Sequence, residues 1–339
     1  MQLSEFDVPF DPALIAAQPV LPRDQARLLR LTRATGAMTH HHVCDLPELL
    51  EPGDLLVVND TKVLPARLVG HKQPTGTPVE VLFVKNLGGS MWEVLIKGRL
   101  RVGQLIAFGA QSRATIVRRD KTGTAVQVES PIPVTQLLHE RGQMPLPPYI
   151  KRPAGRDDRD WYQTMFAEHE GAIAAPTAGL HFTPPLLQRL AEKSIRVVSV
   201  TLHVGLGTFK PVTVERIEDH RMDEEWFEIS DSAAEAIAQA KERGGRVVAV
   251  GTTVVRALET AVDQGGSVVA STGSSRLFIT PGYKFRVVDV LMTNFHLPRT
   301  TLVMLVSAFA GIESIQKAYA EAVRERYRFY SYGDAMLIL

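Results

Sequence analysis

The feature that most constrains this chain is a repeated join, in which an apolar, β-branched run stops abruptly at a small polar loop. Val247-Val248-Ala249-Val250 ends at Gly251-Thr252-Thr253, and a helical pattern over 253–262 begins at once. The run 196–202 ends at His203-Val204-Gly205-Leu206-Gly207-Thr208-Phe209. The run 287–293 ends at Asn294-Phe295-His296-Leu297-Pro298. Strands buried on both faces read as continuous apolar runs, and their alternation with helices builds a sheet covered on both sides. Further helices are predicted over 186–194, 232–243, 301–309 and 314–327. Nearer the start, a helix and a short strand are predicted within 14–34, around Pro19 and Pro22, then a short helix over 46–50 and a buried strand over 55–58.

Between these stretches the texture changes. Short β-type runs fall at 66–69, 79–84, 92–96, 105–108, 114–117 and 125–128, most of them separated by Gly, Asn or Asp. Evenly spaced short strands with turn signals predict a small closed barrel. The expected fold is therefore α/β, a mainly parallel sheet flanked by helices, with an inserted small all-β barrel. The host is expected over 1–65 and 146–339, and the barrel domain over 66–145.

At 339 residues the chain is long enough for large cores without a disulfide or structural metal. Cys44 is the only cysteine, which suits a reducing compartment, and it is expected to be an inert, half-buried thiol. The first residues carry Glu5, Asp7 and Asp11 in place of a basic start and apolar stretch, and the longest apolar run, 302–312, is shorter than a membrane span. A cytoplasmic protein is expected, either a monomer or a weak homo-oligomer. Net charge is +1, yet cations gather locally: Arg23, Arg27, Arg30 and Arg33; Lys97, Arg99 and Arg101; Arg118, Arg119 and Lys121; Lys151, Arg152, Arg156 and Arg159. Such clusters are either a solvated face or a site for a phosphate backbone.

Open α/β sheets bind ligands at the carboxyl ends of their strands. The loops there carry His203, Thr208, Thr252, Thr253, Arg256, Asn294 and His296, and the loop 174–182, which contains His181, has the same texture. Gly-Thr-Thr either caps its own helix or leaves amides free to hold a carboxylate or phosphate. The Gly205-x-Gly207 pair lacks the third glycine of a dinucleotide fingerprint, and Pro211 opposes an immediate helix. Imidazole suits proton transfer near neutral pH, which makes His181, His203, His220 and His296 candidates. His40-His41-His42 reads as a polar loop, no zinc spacing occurs elsewhere, and no metal is expected. The aromatic run from Tyr327 to Tyr332 either packs in the core or stacks on bases.

At these loops the sequence resembles the S-adenosylmethionine:tRNA ribosyltransferase-isomerase family of queuosine biosynthesis. The segments that carry the resemblance include Pro52-Gly53-Asp54-Leu55-Leu56-Val57-Val58-Asn59-Asp60-Thr61-Lys62-Val63, Leu146-Pro147-Pro148-Tyr149-Ile150, Tyr162-Gln163-Thr164, Gly251-Thr252-Thr253 with Arg256, and Pro281-Gly282-Tyr283. The loops 174–182, 201–209, 293–298, 307–311 and 327–336 continue it, end to end and in order. One motif departs. The family usually has His-x-Met-His-x-Glu where this chain has His220-Arg221-Met222-Asp223-Glu224-Glu225, which leaves His220 and Glu225 as the candidates there.

The resemblance implies a reaction. The ribosyl part of S-adenosylmethionine moves to the aminomethyl group of 7-aminomethyl-7-deazaguanine in a tRNA anticodon, giving epoxyqueuosine-tRNA, adenine and methionine. It implies S-adenosylmethionine as co-substrate, no further cofactor, and an α/β host with an inserted barrel. The proposed chemistry needs a base for the carbon beside the sulfonium, an acid for adenine, and shelter from water. By loop position, proton transfers are expected from His181, His203, His296 and Asp334. S-adenosylmethionine contacts are expected from Thr252, Thr253, Arg256, Asn294 and Thr208. Two other readings compete. A methyltransferase would show an acidic, glycine-rich first-strand loop that this chain lacks, and a non-catalytic RNA-binding protein would not need polar His/Thr/Asn loops at several strand ends.

Overall fold

The computed structural model describes residues 1–121, 123–205 and 212–339. Its host is a nine-stranded sheet with helices on both faces. The strands run across it in the order Ser271–Ser275, Glu225–Ile229, Arg196–Leu202, Leu55–Asn59, Val247–Val250, Val290–Asn294, Ala335–Ile338, Arg27–Leu31 and Met38–His42. This sheet is mixed, which corrects the mainly parallel expectation. Arg196–Leu202, Leu55–Asn59, Val247–Val250 and Val290–Asn294 are mutually parallel neighbours, and Ala335–Ile338 pairs parallel with Arg27–Leu31. The outer pairs, and the pairing of Ala335–Ile338 with Val290–Asn294, are antiparallel. Strand–helix alternation does not by itself fix direction: the Asp231–Glu242 helix joins the antiparallel Glu225–Ile229 strand to Val247–Val250, and two helices separate Val290–Asn294 from its antiparallel partner Ala335–Ile338.

Period-two alternation assigns the central side chains to two cores. Leu55, Val57, Val247, Ala249 and Leu291 face one side, where Asp231–Glu242, Thr252–Thr260, Thr301–Ala310 and Ile312–Arg324 pack. Leu56, Val58, Val248, Val250, Val290 and Met292 face the other, under the Pro184–Glu192 helix. The first 26 residues contain single 3-10 turns at Leu3–Phe6, Pro12–Leu14 and Arg23–Gln25, and the helix predicted within 14–34 is absent. Pro19 and Pro22 deny the chain the backbone donors that a longer helix needs. His40-His41-His42, expected as a loop, lies on the sheet's edge strand Met38–His42.

The inserted strands Arg67–Lys72, Pro78–Gly88, Met91–Ile96, Leu105–Ala107, Arg113–Asp120 and Gly123–Glu129 close into a barrel, antiparallel throughout. Alternate residues fill it, among them Leu68, Val81, Phe83, Val94, Ile106 and Ile116, and the Val134–Arg141 helix adds Leu137 and Leu138 to the same core. No helix among the described residues is long and apolar enough to cross a membrane.

Candidate active site

The four parallel central strands end on one edge of the sheet, and a pocket opens there. Its lining includes Gly251, Thr252, Thr253, Asn294, His296 and Tyr330, with Ala175 to Ala178 forming part of the wall. Asp, Glu, Lys and Arg are absent from the described lining residues.

Gly251 sits at φ 101° and ψ 152°, a conformation open essentially to glycine alone. It joins the Val247–Val250 strand to the Thr252–Thr260 helix with no spacer. No side chain among the described residues caps that helix. The capping alternative for Gly-Thr-Thr is therefore not what forms. Thr253 Oγ1 lies 3.3 Å from Asn59 Nδ2, leaving the first-turn amides to meet a ligand.

Asn59, within the Pro52–Val63 motif, is a site residue that the sequence expectations do not include. It stands at the end of the Leu55–Asn59 strand, and its side chain laces the strand ends together. Oδ1 accepts from Thr61 N at 3.0 Å and from Leu202 N at 3.1 Å. Nδ2 donates to Leu202 O at 2.9 Å as well as facing Thr253. A buried asparagine among apolar strands is the signal that marks it, because an amide removed from water must satisfy both ends.

Asn294 Nδ2 donates to Tyr330 O at 3.0 Å and lies 3.3 Å from His181 Nε2. Its Oδ1 is buried without a hydrogen-bond partner among the described residues, as is the Tyr330 hydroxyl. Both residues line the pocket. His296 Nε2 pairs with Thr293 Oγ1 at 2.8 Å, and its backbone amide donates to the Tyr319 hydroxyl at 2.8 Å. Burial pulls the His296 imidazole down to about 3. Burial, then Arg23 and Arg328, pull His181 to about 3. Both rings are thus neutral hydrogen-bonding groups at neutral pH.

The remaining candidates are placed elsewhere. His203 stands beside the pocket, half-buried, stacked on Trp226 with ring centroids 4.7 Å apart and bonded through Nδ1 to Thr61 Oγ1 at 2.8 Å. Burial and His169 lower its pKa, against the pull of Asp60. Arg256 does not line the pocket: its guanidinium pairs with Glu225 and donates to Leu277 O at 3.2 Å. Glu225 also accepts from Gly205 N at 3.0 Å, so this ion pair holds the backbone at Gly205. Asp334 accepts from Arg27 N at 3.0 Å and Arg328 N at 2.7 Å, tying the last strand in place away from the pocket. Burial raises its pKa. His220 packs edge-on against Phe278, 5.3 Å between centroids. Thr208 lies outside the described residues.

Tyr327 and Phe329 pack in the host core with Phe295, so packing accounts for that part of the aromatic run. Cys44 is half-buried, and burial with Asp45 pushes its thiol pKa up. Asp60, Glu168 and His169 have potential ligand atoms within 4.8 Å of one another. Glu168 and His169 are exposed, and the Asp60 carboxylate already accepts from Thr201 Oγ1 at 2.6 Å.

Residues 3–338 match the family model described as queuosine biosynthesis protein. The chain belongs to this family. A Moorella thermoacetica protein named S-adenosylmethionine:tRNA ribosyltransferase-isomerase is 52% identical over 345 residues, covering 100% of both chains. A protein of that name from Desulforamulus reducens is 49% identical over 343 residues, again with both chains covered in full. The crystal structure of a Thermotoga maritima S-adenosylmethionine tRNA ribosyltransferase superposes with a TM-score of 0.58 at 36% identity, over 99% of this chain and 100% of that one. In this family member, the matched span takes in the pocket, its flanking histidines and the barrel.

Proposed function

We propose that this protein is an S-adenosylmethionine:tRNA ribosyltransferase-isomerase. It transfers and isomerises the ribosyl moiety of S-adenosylmethionine onto 7-aminomethyl-7-deazaguanine in a tRNA anticodon, releasing adenine and methionine. Full-length identity of about half to relatives of that name supports this reading. The observation that carries it in the geometry is an uncapped helix N-terminus at a cavity that Asn294, whose Oδ1 has no partner among the described residues, also lines.

In this reading the amides of Thr252 and Thr253 hold the methionine carboxylate, since a helix N-terminus favours an anion. Asn294 Oδ1 accepts from the adenine amino group, gaining the partner it lacks. A pocket whose described lining residues include no Asp, Glu, Lys or Arg limits the proton donors near a carbanion beside the sulfonium. His203 is the candidate for moving protons, because it is half-exposed where His181 and His296 are enclosed. Arg256 and Glu225 act one step back, by positioning Gly205. S-adenosylmethionine enters as co-substrate, and the scheme calls on no metal or redox cofactor.

The test is to incubate the protein with S-adenosylmethionine and tRNA carrying 7-aminomethyl-7-deazaguanine, and to follow small molecules and nucleosides by mass spectrometry. Adenine should appear only with that tRNA, together with a ribosyl-derived mass gain on the nucleoside. S-adenosylhomocysteine would instead indicate methyl transfer, and no product from folded protein would overturn the assignment.

A further inference from the structure

The outer end of the barrel carries a cationic surface that the pocket chemistry does not use. Lys97, Arg99 and Arg101 lie in the loop that follows the Met91–Ile96 strand, and Arg118, Arg119 and Lys121 lie at the tip of the Arg113–Asp120 strand. The fold brings the two groups together: Arg119 Nη2 donates to Gly98 O at 3.0 Å, and Gly103 N donates to Ile116 O at 2.8 Å. Lys72 joins from a third strand, its Nζ 3.3 Å from Arg99 O. All of these except Lys72 are exposed.

No ion pair engages any of these cations among the described residues. Elsewhere on the barrel arginines are matched with acids: Arg67 pairs with Glu80 at 3.0 Å and Arg113 with Glu129 at 2.5 Å. Asp120, between Arg119 and Lys121, is the one acid in these two segments, so positive charge predominates there, and holding like charges together costs free energy through self-repulsion, which a polyanion relieves. Arginine predominates, and its planar fork matches phosphate oxygens in pairs. The patch lies five residues beyond Arg67, where the barrel's strands leave the host, which is about 17 Å along the strand.

We propose that the outer end of the barrel is a second contact surface for the RNA substrate, binding the phosphate backbone of its helical part while the host pocket holds the anticodon base. This rests on the reading of the protein as a tRNA-modifying enzyme. Contacts of this kind fix register and supply affinity, and base identity is read in the pocket.

The experiment compares the wild-type protein with the combined Arg99→Ala, Arg101→Ala, Arg118→Ala and Lys121→Ala variant, residues whose side chains make no hydrogen bond among the described residues, so that the backbone bonds of the loop are kept. Arg113→Ala, at the other end of the same strand, is the control. Affinity for the substrate tRNA is measured across a range of salt, with adenine release and S-adenosylmethionine affinity measured alongside. The combined variant should bind RNA at least about tenfold more weakly, and the slope of log affinity against log salt should shrink by about one per cation removed. KM for tRNA should rise, with kcat at saturating tRNA and S-adenosylmethionine affinity unchanged. Unchanged RNA affinity and salt slope in a folded variant overturn the proposal, as does an equal loss in Arg113→Ala. Loss of binding to anionic phospholipid vesicles with RNA binding intact also overturns it, in favour of a membrane surface. If the wild type binds RNA through this patch but releases no adenine, the enzymatic reading fails and the surface stands.

Discussion

His181 and His296 are buried imidazoles whose pKa values fall to about 3, with burial the leading cause in each. An unfolded histidine titrates near 6.5, so between about pH 3 and pH 6.5 the unfolded chain binds protons that the folded chain excludes. The stability each neutral ring preserves is fully present above pH 6.5 and is lost as pH falls from there towards 3. Each contributes a slope of up to about 1.4 kcal/mol per pH unit in that window. Denaturant unfolding of wild type and His296→Gln across pH 4 to 7 should therefore diverge in slope by close to one proton, the variant being flatter. Parallel curves would show that His296 carries a proton in the folded state, and would restore it as a candidate acid for the leaving adenine. The aggregate pH dependence contains many carboxylates; the difference between the two proteins isolates one ring.

Gly251 sets the angle at which the Thr252–Thr260 helix leaves its strand, and the pocket depends on that angle. A Cβ there would meet Ala178 Cβ at 3.6 Å, an ordinary contact, so the cost of Gly251→Ala is conformational. At φ 101° and ψ 152° it should be about 1–3 kcal/mol. The host cores bury enough apolar surface to keep the variant folded, while the first-turn amides shift. S-adenosylmethionine binding by calorimetry should weaken by roughly tenfold or more, in line with a change of about 1.4 kcal/mol or above. Retained affinity would remove the helix N-terminus from the binding site. This element was legible in the sequence because its apolar run, its glycine and its helical pattern adjoin in the chain. The barrel strands were legible for a similar reason, since alternation and turn residues are local signals. Ala335–Ile338 was not, because a four-residue apolar run at the end of the chain has no period to measure. Its insertion between Val290–Asn294 and Arg27–Leu31 is decided by partners far away in the chain, such as Asn294 opposite Ala335 and Leu28 on its other side. The same limit applied to Asp334 and Arg256. Composition marked them as reactive types, but their partners, the Arg27 and Arg328 amides and Glu225, exist only in three dimensions.

The molecule as a whole depends on how the barrel is held against its host. The chain enters the barrel at Arg67 and leaves it at Gln143, and these two residues bond each other reciprocally: Arg67 N to Gln143 O at 3.2 Å and Gln143 N to Arg67 O at 2.9 Å. Closely spaced ends let an insertion fold as a unit without opening the parent sheet. Gly142, next to this clamp, donates to Leu138 O at 2.7 Å as the Val134–Arg141 helix ends. Its φ of −77° suits any residue, so its requirement is space: a Cβ at this position would collide with the carbonyl oxygens of Pro65 and Leu138. Backbone cannot yield as a flexible side chain does, and such overpacking costs typically about 1–3 kcal/mol. Gly142→Ala should therefore displace the junction and turn the barrel relative to the host. The Val247–Val250 and Val290–Asn294 strands that build the pocket belong to the host, so S-adenosylmethionine affinity should stay near wild type. A tRNA that touches both the pocket and the barrel should bind more weakly, with faster amide exchange at Arg67 and Gln143. Equal tRNA affinity in wild type and variant, with exchange raised at the junction, would mean that the RNA is held by the host alone. In that case the barrel's orientation would be irrelevant to substrate capture.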